Sequence, residues 1–261
     1  MINNTIFSKT NKKIQTLNKL LNSKKERIQN NKIILLGEKL ITTYLEYSIE
    51  KSIDVFINGE ETSDNILKNS KVKLFKVDKK LKKIFDHSDG KYIGIAEKPN
   101  LLNKLCNLSN MNRVLVLLGV QDPGNLGNII RSAVAFNFKD IIISNDSCDV
   151  WSPKCLRGSM GAHFNANIIN LGDVNELNDL ELDKYLFISE NQNSINLSEI
   201  NTERPYLCIF GNETHGVSKY KNINNLISVT IPINKGIESL NVSNACAVSL
   251  FYLDNLKISS S

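Results

Sequence analysis

Histidine and cysteine are both scarce and badly placed for metal chemistry. The three His, His87, His163 and His215, stand far apart, which excludes a zinc site of the H-E-x-x-H kind. Five Cys, at Cys106, Cys148, Cys155, Cys208 and Cys246, are an odd number with no C-x-x-C pair. A disulfide framework or zinc ribbon is thereby excluded, and buried thiols in a reducing compartment are expected. Long apolar runs are also missing. The longest, such as 114–118 and 141–143, fall far short of the ~20 residues that cross a bilayer. Residues 1–13 are polar and lack the apolar core of a signal peptide. A cytoplasmic protein without membrane contact is the expectation.

What the chain does have is an uneven charge. Residues 1–106 hold 21 Lys+Arg against 12 Asp+Glu, a net of +9, while residues 107–261 carry −4. The asymmetry predicts two units, the basic one facing a polyanion such as nucleic acid. In the first, Ile14, Leu17, Leu20 and Leu21 recur with helical period, which predicts one amphipathic helix over 12–27. Strands are predicted at 32–36, 53–57, 72–77 and 92–97, with helices near 38–48 and 79–86. Residues 98–112, with Pro99, five Asn and no period, read as a linker. The domains are therefore 1–106, with the linker from about 98, and 107–261.

The second half alternates strands with helices, as expected of a parallel sheet covered on both faces. Strands are predicted at 114–120, 140–144, 166–169, 185–189, 207–210 and 229–233. Helices are predicted from about 126 to 136 and from 242 to 256, with a helical turn at 153–160. In α/β sheets ligands gather beyond the carboxyl ends of the strands. Three loops there are rich in Gly and Asn: 121–128 leading to Arg131, 211–218, and the stretch from Ile231 to Asn241. They match no common template. Gly124-x-x-Gly127 lacks the spacing of a dinucleotide fingerprint, and no G-K-[ST] phosphate loop occurs. Arg157-Gly158-Ser159-Met160-Gly161 is not a nucleophile elbow.

Asn125-x-Gly127-Asn128-x-x-Arg131, Phe210-Gly211-Asn212-Glu213-x-x-Gly216, and Ile231-Pro232 followed by Ser239-Leu240-Asn241-Val242-Ser243 closely resemble the three motifs of the SpoU (TrmH-like) RNA 2′-O-ribose methyltransferases of the SPOUT superfamily. Order and spacing agree over about 150 residues, and 157–162 resembles the segment between the first two motifs. Ser8-Lys9-Thr10-Asn11, Lys24-Lys25-x-Arg27 and Gly37-Glu38-Lys39-Leu40 are similar to the family's N-terminal L30e-like α/β domain, although Leu36-Gly37 stands where the family usually has Glu-Gly. The resemblance implies an α/β fold whose C-terminal parallel sheet carries a deep trefoil knot. It implies S-adenosylmethionine as cofactor, held by Phe210, Gly211, Ile231 and Leu240 largely through main chain, with core packing the competing role for Ile231 and Leu240.

It implies Asn125, Arg131, Glu213 and Asn241 as catalytic residues, and no metal. An Arg gives up its proton with difficulty, so positioning and charge stabilisation are expected of Arg131. Asn241 also suits a helix N-cap. His215 reads as a loop histidine rather than a general base. The partners implied are RNA, ribosomal RNA before tRNA, and a second copy joined through the C-terminal domain. A catalytically silent RNA-binding protein of the same fold is the competing class.

Overall fold

The computed structural model describes residues 5–48, 52–59, 66, 69–86, 90–99, 112–188, 193–200, 202–211, 222–234 and 236–256. The chain forms two compact units, Met1–Asn100 with Trp151–Phe164, and Leu101–Val150 with Asn165–Ser261. The helices are α1 (Lys12–Asn22), α2 (Lys24–Gln29), α3 (Glu38–Tyr47), α4 (Pro123–Ala135), α5 (Pro153–Ser159) and α6 (Val242–Leu256). Among the described residues no helix is long and apolar enough to cross a membrane.

The first unit holds a four-stranded sheet of order β1-β4-β2-β3, made of β1 (Lys32–Leu36), β2 (Ile53–Asn58), β3 (Val72–Val77) and β4 (Tyr92–Glu97). β4 is antiparallel to β1 and β2, and β3 runs parallel to β2. The single helix expected over 12–27 is two. Ser23, extended at φ −130° and ψ 115°, ends α1 and caps α2, its Oγ accepting from the Glu26 N–H at 3.2 Å. The Ser-x-x-Glu start signal overrides the continuing apolar period. Ile14, Leu17 and Leu20 keep their expected face, buried with Ile34, Phe56 and Phe75. The helix expected near 79–86 is a tighter 3₁₀ turn, Lys79–Phe85, capped by Asp78.

Helix α5 packs on β1 within this unit. Phe164 meets Tyr44 edge-on, ring centroids 5.4 Å apart, and stacks on Tyr47 at 5.7 Å. Gly161 turns the chain here at φ +88°, and a Cβ on it would lie 2.9 Å from Thr43 Cγ2. Only glycine meets both demands.

The second unit is a seven-stranded sheet of order β7-β6-β5-β10-β8-β11-β9. Its strands are β5 (Arg113–Leu118), β6 (Asp140–Ser144), β7 (Asn167–Leu171), β8 (Asp183–Phe187), β9 (Ile195–Asn196), β10 (Tyr206–Gly211) and β11 (Leu226–Thr230). Every neighbouring pair is parallel, as the alternation of strands and helices predicts. The central strands β5 and β10 are apolar and buried along almost their whole length. Arg113 anchors the end of α6 to the start of β5 by an ion pair to Asp254 at 2.7 Å.

Several boundaries differ from expectation by one to three residues, β8 for instance running Asp183–Phe187 where 185–189 was expected, and β9 was not expected; two of the differences bear on the site. α4 begins at Pro123, not near 126, because Asp122 Oδ1 accepts from the Asn125 N–H at 2.9 Å and Pro123 is preset for a first helical position. β11 ends at Thr230, which leaves 231–233 outside the sheet. The knot implied by resemblance is a property of a C-terminal path that includes 212–221, outside the described residues.

Candidate active site

Strands β5 and β10 are neighbours in the sheet although far apart in sequence, with Leu118 opposite Gly211 at their carboxyl ends. The chain continues from β5 toward β6 on one side, whereas β10 is followed in the sheet by β8 and β11 on the other. Such a reversal point opens a crevice between diverging loops.

The loop leaving β5 is fixed by side chains that the motif reading did not single out. Ser144 Oγ, at the end of β6, accepts from the Gly119 N–H at 2.9 Å. Ser147 Oγ accepts from the Val120 N–H at 3.1 Å, and the Cys148 N–H returns to Val120 O at 2.9 Å. Ser144 in turn donates to Asp146 Oδ1. The available signal was a hydroxyl closing an otherwise Ile-only strand, followed by Asn145-Asp146-Ser147. These bonds satisfy the main-chain donors of the loop that launches α4.

Asn125 and Asn241 meet. Asn241 Nδ2 donates to Asn125 Oδ1 at 3.3 Å across 116 residues of sequence. The opposite end of the Asn241 amide is occupied as well, because its Oδ1 accepts from the Ser243 N–H at 2.9 Å and the Ser243 hydroxyl at 2.7 Å. Asn241 therefore caps α6 and ties it to α4 with one side chain. Arg131 stands apart. Six residues beyond Asn125, it lies about 120° around the helix, on the exposed face it shares with Asn128 and Ala135. Among the described residues it has no ion-pair partner.

Of the expected cofactor contacts, Phe210 is buried and its ring stacks on Phe187, centroids 4.4 Å apart and planes 9° from parallel. Its side chain belongs to the core, which leaves only its main chain for a ligand. Gly211, Ile231 and Leu240 are half-buried. They sit at the carboxyl edge without being consumed by the core, and so fit a planar, weakly polar ring recognised through main-chain groups. Glu213 and His215 lie outside the described residues. Cys155, Cys208 and Cys246 are buried thiols outside any disulfide. Burial pushes the Cys208 and Cys246 thiols well above the usual range, so they stay neutral and unreactive. Among the described residues no His, Cys, Asp and Glu cluster could hold a metal ion.

An α/β unit with a parallel sheet, and the loops before α4 and α6 meeting at its carboxyl edge, is the architecture of a ligand-binding domain. Residues 112–251 match the model of the SpoU rRNA Methylase family, and the chain belongs to that family. Over 257 residues it is 26% identical to the 23S rRNA (guanosine(2553)-2′-O)-methyltransferase RlmP of Bacillus subtilis, covering 95% of this chain and 98% of that one. It is 24% identical to the mitochondrial rRNA methyltransferase 3 of Mus musculus, over 92% of this chain and 71% of that. Among solved structures, the SpoU methyltransferase AviRb from Streptomyces viridochromogenes, in complex with the cofactor AdoMet, superposes with a TM-score of 0.81. That alignment is 21% identical and covers 95% of this chain and 99% of that one.

Proposed function

We propose that the protein transfers a methyl group from S-adenosylmethionine to a ribose 2′-hydroxyl of RNA, with ribosomal RNA as the substrate. Family membership and the named activity of the full-length relative support the reaction. The observation on this chain that carries the reading is the Asn241–Asn125 contact, which joins the first and third motif segments at the carboxyl edge.

When bound, S-adenosylmethionine supplies an electrophilic methyl group, and the protein supplies orientation and electrostatics. Gly211, Ile231 and Leu240 would hold its adenine, with the Phe210 main chain beside them. The Asn125–Asn241 pair holds the two helix starts in register, so that the acceptor hydroxyl and the methyl donor are kept in line. Arg131 holds the substrate phosphate or the developing oxyanion with its planar fork of donors. The family resemblance gives Glu213 the role of acceptor for Arg131 or Asn125.

The protein acts in the cytoplasm as a homodimer through its second unit. On α6 the apolar Val248 and Phe251 are 47% and 55% exposed, and the Phe251 ring lies 5.6 Å from Phe136, just beyond the end of α4. An apolar helix face beside a helix that carries an exposed arginine suits an interface that covers both. The two units divide the labour, RNA affinity in the first, where Trp151–Phe164 joins residues 1–100 instead of the expected division at 106, and chemistry in the second. The test is 2′-O-methyl mapping of total RNA from cells with and without the gene, paired with methyl transfer to that RNA by the purified protein. One ribosomal position that depends on the gene is expected. A site in tRNA, or none, refutes the substrate reading.

A further inference from the structure

On the first unit, α1 and the 3₁₀ turn Lys79–Phe85 border an open cavity of about 280 Å³. That is room for roughly nine water molecules, of the order of one nucleoside. Its floor is apolar: Leu21, Leu81 and Ile84. Its rim carries three ammonium groups, Lys9, Lys80 and Lys83, and no acidic residue lines it. Two lysines elsewhere on the unit are paired with acids, Lys13 with Asp54 at 2.8 Å and Lys32 with Glu97 at 3.7 Å. Lys9, Lys80 and Lys83 have no ion-pair partner among the described residues. The amides of Asn18 and Asn22 complete the wall, and Asn22 Nδ2 is the one bound back, to Asn18 O at 2.9 Å.

A second observation is independent of the charge. Phe7 is 70% exposed, yet its backbone is fixed. Ile6 bridges to Val77, its N–H donating to Lys76 O at 2.8 Å and its carbonyl accepting from the Asp78 N–H at 2.9 Å. Phe7 therefore leaves the sheet edge beside the start of the 3₁₀ turn, two residues before Lys9. An exposed aromatic ring on an anchored backbone, beside lysines without an ion-pair partner among the described residues, is the arrangement that holds single strands, with bases stacked on rings and phosphates on ammonium groups.

We infer that this cavity, with Phe7 at its edge, is a docking subsite for one unpaired nucleotide of the RNA substrate. The inference rests on the reading of the chain as an RNA methyltransferase and assigns part of that RNA's grip to the first unit. An unpaired base is required because a base within a duplex has no free face to lay on Phe7 or on the leucine floor.

The test is fluorescence anisotropy of the full chain with a labelled, unstructured RNA of about 12 nucleotides, within the span such sites cover, and with a duplex of equal length. Phe7→Ala should weaken single-strand binding about tenfold, the loss of one stacked base, and leave duplex binding within twofold. Lys80→Glu with Lys83→Glu should reduce the slope of log affinity against log salt by about 1.4, two single-strand phosphate contacts. The same reversal at Lys73 on β3 and at Lys71 just before it serves as control for net charge. The inference is overturned if the pocket reversal weakens binding no more than the control, or if Phe7→Ala binds as wild type. All these side chains except Lys71 are exposed, so the variants fold. Wild-type protein that methylates RNA while the pocket variants bind normally refutes the subsite alone. Wild-type protein that methylates no RNA refutes the enzyme reading, and the subsite is then still decided by the binding data.

Discussion

Asn241 has two bonds with different purposes, and one substitution separates them. Its Oδ1 caps α6 through Ser243, while its Nδ2 reaches Asn125 Oδ1. Asn241→Asp keeps the acceptor and gains a charge that the helix N-terminus favours by about 0.3–1 kcal/mol. It deletes the donor and sets a carboxylate against the Asn125 carbonyl oxygen, since an ionised carboxylate only accepts. Asn241→Ala removes both bonds, and loss of a cap costs about 0.5–2 kcal/mol. At about 2–4 °C per kcal/mol for a chain of this size, Asn241→Ala should lower the Tm by several degrees, whereas Asn241→Asp should leave it level or slightly raised. The rate should fall in both. A hydrogen bond of net worth about 0.5–1.5 kcal/mol sets a floor of roughly 2- to 13-fold, and misplacement of the helix starts by about 1 Å raises it toward 10². Calorimetry and single-turnover methyl transfer read the two effects separately. An Asn241→Asp protein with wild-type rate would refute the cross-loop role and leave Asn241 a cap only.

Arg131→Ala should reduce single-turnover methyl transfer by ~10²–10³ while S-adenosylmethionine binding by isothermal titration stays near wild type, and Arg131→Lys should recover little because an ammonium lacks the planar fork. Retention of more than about half the rate at saturating RNA and cofactor contradicts the assignment. Phe251→Asp, on the exposed face of α6, should convert the dimer of the full chain to monomer in light scattering at micromolar concentration, with the Tm nearly unchanged because the side chain is more than half exposed in the single chain. Wild-type protein that runs as a monomer refutes the dimer directly.

Much of the sheet was legible because its strands are buried on both faces and read as unbroken apolar runs, such as Val114 to Leu118. The α6 boundaries, 242 and 256, follow from Asn241 before the helix and the apolar period within it. Capping chemistry was harder to weigh against period. Ser23 breaks a helix whose apolar face continues past it, and Asp122 with Pro123 starts α4 inside a stretch whose glycines read as loop. Pairing across distance was invisible. That β10 inserts beside β5, and that Asn241 touches Asn125, depends on strand order, which no local pattern encodes. The Ser144–Ser147 hub was missed for a related reason, since a serine at a strand end gains meaning only once the neighbouring loop is known to need an acceptor.

The excursion of Trp151–Phe164 has a consequence for how the protein is made. The segment is translated after β5, α4 and β6 of the second unit, yet it packs with β1 and α3. The first unit cannot close around Tyr44 and Tyr47 until Phe164 has emerged from the ribosome, by which time two strands of the second sheet are already out. Domains usually mature one after the other during synthesis; here each waits on the other. A cut after residue 106 would strip Leu156 and Phe164 of their neighbours in the one fragment and uncover β1 and α3 in the other. Neither fragment is a self-contained folding unit.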